Sequence, residues 1–169
     1  MIRVAVLVDG GFYHKRYYNL FHELEDFRHY DASQAAKVFK TLTTAHVRNN
    51  KDDYLYRIFY YDCWPLDKRA HNPVTSRSIE FGNTEVARFR RAFFEELKRQ
   101  RKVALRLGEA RAHAGWIIKP RKTKELLAGK VGVEDLTEHD VSYDVTQKGV
   151  DMKIGLDIAA LAYKRLVEK

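Results

Sequence analysis

Three aspartates near the two ends of the chain have the types and positions expected of a site for divalent metal ions. Asp9 follows the β-branched run IRVAVLV (residues 2–8) and precedes two glycines, which allow backbone to approach a ligand closely. Asp151 opens a long helical pattern near the end of the chain, and Asp157 lies two turns later. Carboxylate oxygens are preferred ligands of Mg²⁺ and Mn²⁺. An ion held by Asp9 and Asp151 could activate a water molecule.

Each of these carboxylates also has a purely structural interpretation. Asp9 could cap a helix that follows the strand, and Asp151 in a first helical turn would interact favourably with the helix dipole. Asp157 lies between Leu156 and Ile158, in an apolar stretch where a carboxylate needs a partner. Helical geometry places Asp151 and Asp157 about 120° apart in direction and roughly 9 Å apart along the axis. We therefore expect Asp151 to approach an ion near Asp9, whereas Asp157 could instead fix a neighbouring side chain.

Basic residues dominate the charge of the chain. The net charge of +8 and the pI of about 9.5 favour polyanionic partners, nucleic acid first among them. The residues expected to bind nucleic-acid phosphates are Arg88, Arg91, Lys98, Arg99, Arg101, Lys102, Arg121, Lys122 and Lys148. Phosphate contacts of this kind give salt-sensitive affinity that depends little on base sequence. Tyr13, Tyr17 and Tyr18 could stack on unpaired bases. The alternatives are solvated helix faces for the basic residues and core positions for the tyrosines.

The alternation of strand and helix patterns predicts a three-layer α/β/α domain with a mainly parallel sheet. The predicted strands are residues 2–8, 54–63, 103–107 and 115–119, and the predicted helices are residues 12–24, 32–47, 84–101, a basic stretch from residue 120, and 150–167. Asp31 with Gln34 forms a capping pattern, and Thr84 can cap the third helix. Asp9 then lies at the carboxyl edge of the sheet, where ligands gather in such folds.

The remaining predictions concern two irregular segments and the core-facing sides of two helices. Residues 64–83 are polar, contain Pro65 and Pro73, and predict a functional or mobile loop. Asp62 and Asp67 border this loop near the carboxyl edge of the sheet and could join the acidic site. Residues 129–145 have no clear pattern. The predicted apolar faces are Val86, Phe89, Phe93 and Leu97 on the third helix and Val150, Ile154, Ile158 and Leu161 on the last.

The composition predicts one globular domain in a reducing compartment. A chain of 169 residues that is 45% hydrophobic and 32% charged can bury a sizeable core. Cys63 is the single cysteine, so an internal disulfide is excluded, and we expect it to be a buried small side chain. No stretch approaches the roughly 18 apolar residues of a membrane span, and the first apolar run ends at Asp9. We therefore expect a cytoplasmic protein with no membrane partner.

The end of the chain leaves the expected sheet open. The last helical pattern runs to Glu168 and Lys169, whereas a helix of this kind normally crosses over to another parallel strand. We therefore expect either a domain that is incomplete at its C-terminus or another part of the protein that covers the sheet. The apolar run at residues 2–8 would then be an unpaired edge, which invites pairing with another chain, and a homodimer through that edge is the corresponding hypothesis.

Two motifs resemble those of NYN domains (LabA-like proteins), which belong to the PIN-like nuclease superfamily. VLVDGGFYHKRY at residues 6–17 resembles the opening motif, and QKGVDMKIGLDIAALAYKRL at residues 147–166 resembles the late motif. YYDCWPLDKRAHNP (residues 60–73) and RKVALRLGE (residues 101–109) are similar to one bacterial branch of the family. The resemblance thus extends over almost the whole chain. Relatives carry Asn where this chain has Phe12, and they continue beyond the long helix into a strand and a Ser-Gly-Asp-Ser-Asp-Phe type of motif that is absent here.

The resemblance implies a metal-dependent ribonuclease. Carboxylates converge at the carboxyl edge of a parallel sheet, bind Mg²⁺ or Mn²⁺, and cleave single-stranded or structured RNA. By position, Asp9 and Asp151 match the carboxylates of the first strand and the late helix, and Asp157 matches a further acidic position. The expected catalytic residues are therefore Asp9, Asp151 and Asp157. The absent acidic motif favours the alternative of a non-catalytic RNA-binding or regulatory module on the same scaffold, and a nuclease acting on DNA is a third possibility.

Overall fold

A computed structural model describes residues 1–21, 31–47 and 52–169, with backbone alone for residues 18–21. Its strands are β1 (Ile2–Asp9), β2 (Asp53–Cys63), β3 (Arg69–His71), β4 (Ser78–Glu80), β5 (Val103–Ile118) and β6 (Val141–Lys148). Its helices are α1 (Gly10–Phe21), α2 (Ala32–Ala45), α3 (Glu85–Arg99), α4 (Pro120–Leu127) and α5 (Val150–Tyr163). Short 3₁₀ turns occupy Phe81–Asn83, Val133–Asp135 and Glu138–Asp140.

The main sheet has the strand order β1-β2-β5-β6. β1, β2 and β5 run parallel, with Asp9 opposite Tyr61 and Tyr61 opposite Arg106, and β6 runs antiparallel to β5. Helices cover both faces, which explains the nearly continuous apolar sequence of β1. The chain therefore has the predicted α/β architecture with a mainly parallel sheet. Because β1, β2 and β5 are parallel, their carboxyl ends meet at one edge, which we call the carboxyl edge.

One face of the sheet packs against α1, α2 and α3. Ile58 and Tyr60 of β2 are fully buried there against Phe39 of α2 and the α3 side chains Phe93, Phe94 and Leu97. The predicted caps are confirmed. The Asp31 carboxylate accepts a hydrogen bond from the Gln34 backbone, the Gln34 amide oxygen accepts one from the Asp31 backbone, and the Thr84 hydroxyl accepts one from the Ala87 backbone.

The face predicted for α3 is wrong at its first position. Val86 is 67% exposed, and the buried residues of the helix are Ala87, Phe93, Phe94 and Leu97. The other three predicted positions are confirmed, because Phe93 and Leu97 are buried and Phe89 packs against the same core.

The opposite face of the sheet packs against α5. Phe59, Tyr61 and Cys63 of β2 form a cluster with Val150 and Leu161, the two buried residues of the helix. The predicted apolar stripe of α5 is confirmed at these two positions and contradicted at Ile158, which is 53% exposed. Since Ala5 and Leu7 pack on this cluster whereas Val6 and Val8 pack on the other face, strand alternation places Asp9 on the α5 side.

Three segments differ from their sequence-based assignment. The two strands predicted at residues 103–107 and 115–119 are parts of the single strand β5, which leaves the sheet and continues as a two-stranded ribbon with β6. The unassigned residues 129–145 contain two 3₁₀ turns and the start of β6. The loop at residues 64–83 contains the β3–β4 hairpin. The first two differences follow from the antiparallel pairing of β6 with β5 across residues 119–140, because no local sequence period indicates that pairing.

The edge of β1 is partly paired by the end of the chain. The Lys169 amide donates to the Arg3 carbonyl at 3.3 Å, and the Ala5 amide donates to the Lys169 carbonyl at 2.9 Å. This is the hydrogen-bond pattern of a parallel bridge, and the Arg3 guanidinium also pairs with the Glu168 carboxylate at 2.8 Å. The expectation of an unpaired first strand is therefore wrong near Arg3 and Ala5, and a homodimer through this edge stays a prediction. Among the described helices, none is long and apolar enough to span a bilayer.

Candidate functional site

Asp9 lies at the carboxyl edge with its side chain exposed. Its Oδ1 accepts a hydrogen bond of 2.9 Å from the Phe12 backbone, so the carboxylate caps α1. Within the described part of the chain, Oδ2 has no hydrogen-bond partner. The capping interpretation is thus confirmed, and it leaves one carboxylate oxygen of Asp9 able to bind a cation.

Gly10, which follows Asp9, packs closely against β2. It is buried, and a Cβ at this position would lie 2.6 Å from the Tyr60 hydroxyl and 2.7 Å from the Tyr61 carbonyl. A larger side chain would therefore force the neighbouring backbone to shift. The close packing of Gly10 on β2 fixes the position of Asp9 relative to the neighbouring strand.

Asp157 is held by two donors beneath the exposed edge. Its Oδ2 accepts hydrogen bonds from the Tyr61 hydroxyl at 2.9 Å and from the Arg106 Nε at 2.8 Å. Burial, reinforced by the bond to Asp157, raises the pKa of Tyr61 above its ordinary value. The Asp157 carboxylate therefore links α5 to β2 and β5. This is the structural role that the sequence analysis gave as an alternative to metal binding.

Asp151 lies in the first turn of α5 and is exposed. The helix starts after Gly149, whose φ of 80° lies in the left-handed region that favours glycine. A Cβ on Gly108 would lie 2.3 Å from the Lys148 carbonyl and 3.2 Å from a methyl group of Val150, so the end of β5 packs tightly on the start of α5. This contact brings Asp151 and Lys148 to the carboxyl edge on which Asp9 also lies.

A buried polar network lies under the same edge, on the face covered by α1 and α3. The fully buried Asp62 carboxylate accepts hydrogen bonds from the Tyr60 hydroxyl at 2.9 Å, from the Cys63 backbone at 2.7 Å and from the Arg90 guanidinium. The His14 Nε2 lies 2.9 Å from the same Tyr60 hydroxyl. Asp62 is therefore fully engaged, and it does not join an exposed metal site as its sequence position suggested.

Burial shifts the pKa of two members of this network. It lowers the pKa of His14 to about 4, so the ring is neutral near pH 7. Burial, with a further contribution from Asp62, raises the pKa of Tyr60 well above its ordinary value. The contacts of His14 and Arg90 with Tyr60 and Asp62 fix α1 and α3 to β2.

The carboxylates present offer a metal ion few direct ligands. In the described ranges, no three His, Cys, Asp or Glu side chains come together as a group that could hold a metal ion. Asp9 provides one free oxygen and Asp151 a whole exposed carboxylate. Mg²⁺ keeps several of its own waters when it binds to proteins. These residues therefore fit a hydrated ion held at a small number of points better than a fully enclosed one.

The basic residues of α3 and its exit are spread over both ends of the sheet. Arg88 and Arg91, near the carboxyl edge, donate to the carbonyls of Asn83 and Gly82. Arg99 and Lys102 lie about 16 Å further along, given a rise of about 1.5 Å per residue, where β5 begins. At that end Arg99 pairs with Glu96, the Arg101 carbonyl accepts a hydrogen bond from Lys40, and Lys102 contacts the Leu55 carbonyl and the Tyr54 ring. Lys98 pairs with Glu95, and its ammonium also reaches to 5.5 Å from the Trp64 ring.

The residues predicted to bind phosphates therefore lie in several places and do not form one patch beside Asp9. Arg121 and Lys122 of α4 pair with Glu125, and Lys122 also lies 3.4 Å from Asp140. Of the residues predicted to bind RNA, Lys148 is exposed next to the start of α5 and is the one best placed beside Asp151.

The tyrosines predicted to stack on bases have different positions. Tyr13 is a core residue, with its ring 5.2 Å from the Phe39 ring and 5.7 Å from that of Tyr17, and burial raises its pKa. The stacking role is therefore wrong for Tyr13. The side chain of Tyr18 lies outside the described residues.

A groove of about 330 Å³ lies at the carboxyl edge, between the start of α3 and the β5–β6 ribbon. Trp64, Arg90 and Gln147 line it together with the buried Cys63, whose thiol has a pKa raised by burial. Sequence reasoning missed Trp64 and Gln147 as site residues. Gln147 reaches this edge through the pairing of β6 with β5, and no local sequence pattern indicates that pairing.

Comparisons with known proteins do not provide an independent assignment. No protein-family model matches this chain, and neither a curated protein nor a solved structure is similar enough to count as a match. The functional conclusion therefore depends on the residues at the carboxyl edge and on the sequence motifs that contain them.

Proposed function

We propose that this chain hydrolyses RNA phosphodiester bonds at the carboxyl edge as a metal-dependent ribonuclease of the NYN, PIN-like type. The observation that carries the proposal is the position of Asp9. It ends the first strand of a parallel sheet, it is exposed, and its Oδ2 has no hydrogen-bond partner among the described residues. Open α/β sheets place their catalytic groups at this edge.

Asp9 and Asp151 are the residues that would hold Mg²⁺ or Mn²⁺. When bound, such an ion supplies an activated water and neutralises charge on the phosphate. The chain itself supplies orientation. The Phe12 amide fixes the Asp9 carboxylate, and the contact of Gly108 with Val150 fixes the start of α5, which carries Asp151.

Substrate binding is supported by the charge of the chain. A net charge of +8 attracts the phosphate backbone of RNA in a salt-sensitive manner. Lys148, exposed next to Asp151, is the basic residue best placed to contact a phosphate at the site. The paired residues of α3 and α4 contribute to the overall field more than to any single contact.

A non-catalytic RNA-binding module is the second candidate, and a specific observation favours it. Asp157, which matches an acidic position of the late motif, is neutralised by Arg106 at 2.8 Å and hydrogen-bonded by Tyr61. Among the described residues this leaves Asp9 and Asp151 as the predicted catalytic carboxylates that are free to act. A chain of this kind would bind RNA without cleaving it.

Cleavage of a labelled single-stranded RNA in the presence of Mn²⁺ or Mg²⁺ distinguishes the two candidates. Asp9→Asn removes the charge but keeps an acceptor for the Phe12 amide, since Asn is also a good helix cap. Asp52→Asn, in the exposed turn before β2, is the matched control. The proposal expects chelator-sensitive cleavage that is lost in Asp9→Asn and retained in Asp52→Asn. Salt-sensitive binding of RNA with no cleavage by any of the three proteins would instead establish the binding module.

A further inference from the structure

The groove between α3 and the β5–β6 ribbon is continuous with the position of Asp9. A Cβ on Gly11 would lie 3.3 Å from the Asp9 Oδ1 and 3.8 Å from the Gln147 Nε2, so Gln147 stands between Asp9 and the groove. The same side chain lines the groove together with Arg90. A molecule that extended from Asp9 past Gln147 would therefore enter the groove directly.

The rim of the groove is apolar and exposed. The exposed fractions are 42% for Trp64, 67% for Val86 and 40% for Val145, and all three residues line the groove. Clustered exposed side chains of this kind mark binding sites when they surround a concavity. Trp64 is also held in place, because its ring lies 5.5 Å from that of Phe94 and 5.5 Å from the Lys98 ammonium.

Polar groups of the groove are few and complementary to a heteroaromatic ring. The Arg90 guanidinium donates to Asp62 through one terminal nitrogen. The side chain is 23% exposed and lines the groove, so a further guanidinium N–H can donate to an acceptor on a ligand. The Gln147 amide offers both a donor and an acceptor. A fixed donor and an amide can form hydrogen bonds with the edge of a nucleobase, and apolar walls can contact its ring faces.

We propose that this groove binds an unpaired nucleobase of the RNA strand whose backbone passes Asp9. This inference rests on the proposed function and names the part of the substrate that the site recognises. The volume of about 330 Å³ lies at the small end of ligand pockets, which suits one base with its ribose. Gln147 and Arg90 contact the base edge, and Trp64 contacts its ring. The enzyme therefore acts on single-stranded RNA, because a paired base cannot enter the groove.

Fluorescence of Trp64 provides a direct test in the presence of a chelator, so that cleavage does not interfere. The chain has two tryptophans, and Trp116→Phe leaves Trp64 as the single reporter. A short single-stranded RNA is expected to change Trp64 emission saturably. An abasic ribose-phosphate chain of equal length is expected to bind about tenfold more weakly, because stacking of a single base strengthens binding by about that factor. It is expected to leave the Trp64 emission unchanged.

A pair of glutamine variants in the otherwise natural chain provides an independent measurement. Gln147→Leu is expected to weaken binding of the same RNA about fivefold, because one hydrogen bond to the base is lost. Binding of the abasic chain is expected to stay unchanged. Gln100→Leu, at the opposite end of α3, is the matched control and is expected to change neither. Equal affinity for RNA and abasic chain, with constant Trp64 emission, would overturn the proposal.

The test separates this inference from the proposed function. Emission changes and base-dependent binding with no cleavage on addition of Mn²⁺ would support the groove and contradict hydrolysis. Cleavage at Asp9 with no dependence on bases or on Gln147 would support hydrolysis and contradict the groove.

Discussion

The environment of Asp157 shows how much a carboxylate's role depends on its partners. Its spacing from Asp151 allowed either a catalytic or a structural role, and neither partner, Tyr61 nor Arg106, is near it in sequence. Both donors bind the same oxygen of Asp157. Only the pairing of β2 with β5, which places Tyr61 opposite Arg106, brings them together. A charge pattern in sequence therefore identifies candidates at the residue scale, and long-range strand pairing decides between their roles.

Replacement of Asp157 by Asn is expected to reduce stability without abolishing activity. The variant loses the charge that offsets Arg106, in a partly exposed position, and we expect the free energy of unfolding to fall by about 1 kcal/mol. Chemical denaturation measures this change, and RNA cleavage is expected to stay within about twofold of the natural chain. Complete loss of cleavage by a variant that remains folded would show that Asp157 is catalytic.

His14 is expected to make stability depend on pH on the acidic side. Its pKa is lowered to about 4 by burial, from about 6.5 in an unfolded chain. Between pH 6.5 and pH 4, His14 is protonated in the unfolded state but neutral in the folded state. The free energy of unfolding is therefore unaffected by His14 above pH 6.5 and decreases as the pH falls towards 4. The loss attributable to His14 between pH 6.5 and pH 4 is roughly 3 kcal/mol.

Denaturant midpoints measured across that range provide the test. His14→Gln, which can still bond to the Tyr60 hydroxyl, is expected to show a shallower decline than the natural chain. Parallel curves for the two proteins would mean that another group causes the acid sensitivity.

At the scale of elements, the turn from β1 to α1 depends on Gly10. A Cβ there meets Tyr60 at 2.6 Å and the Tyr61 backbone at 2.7 Å, whereas a Cβ on Gly155 in α5 has no neighbour within 4 Å. We therefore expect Gly10→Ala to lower the free energy of unfolding by about 2–3 kcal/mol through overpacking. Gly155→Ala is the matched control and is expected to raise it by about 0.5–1 kcal/mol, because alanine favours the helix. Thermal or denaturant unfolding of both variants measures these changes, and a neutral Gly10→Ala would contradict the described turn.

The elements predicted well from sequence are those with a strong local period or a cap. β1, β2, α2 with its Asp31 cap, and α3 with its Thr84 cap are all present near their expected bounds. The ribbon of β5 and β6 was missed because Gly115, with a φ of 81° at an irregular point in the pairing, divides β5 into two apparent strands. The groove depends on this ribbon, so it could not be predicted either. Asp9 could be predicted because the end of a parallel strand is a local feature.

On the scale of the whole molecule, the distribution of positive charge determines how RNA binds. Most residues predicted to contact phosphate pair with carboxylates or carbonyls of the chain itself, and several lie at the end of the sheet opposite Asp9. Surface ion pairs such as Arg121 with Glu125 contribute little to stability, but they reduce the charge available to a ligand. Lys148 is exposed at the carboxyl edge. Affinity should therefore depend strongly on salt, while individual basic residues should contribute unequally.

The salt dependence of RNA binding is expected to separate Lys148 from Arg121. Removing one basic side chain that binds a phosphate of single-stranded RNA lowers the slope of log affinity against log salt by about 0.7. We expect this change for Lys148→Gln and almost none for Arg121→Gln, which removes the same charge from α4. Binding titrations at several salt concentrations measure both slopes, and equal slopes for the two variants would contradict a direct interaction between Lys148 and a phosphate.

The cooperation of Asp9 and Asp151 at one metal-dependent site is the central claim, and a double-mutant cycle of RNA cleavage tests it most directly. Rates would be measured at saturating Mn²⁺ for the natural chain, Asp9→Asn, Asp151→Asn and the double variant. If both carboxylates serve one ion, each single variant loses most of the activity, and the double variant is scarcely slower than either one, because groups that act as a unit are not additive. Undiminished cleavage in Asp9→Asn, or losses that multiply in the double variant, would contradict the account.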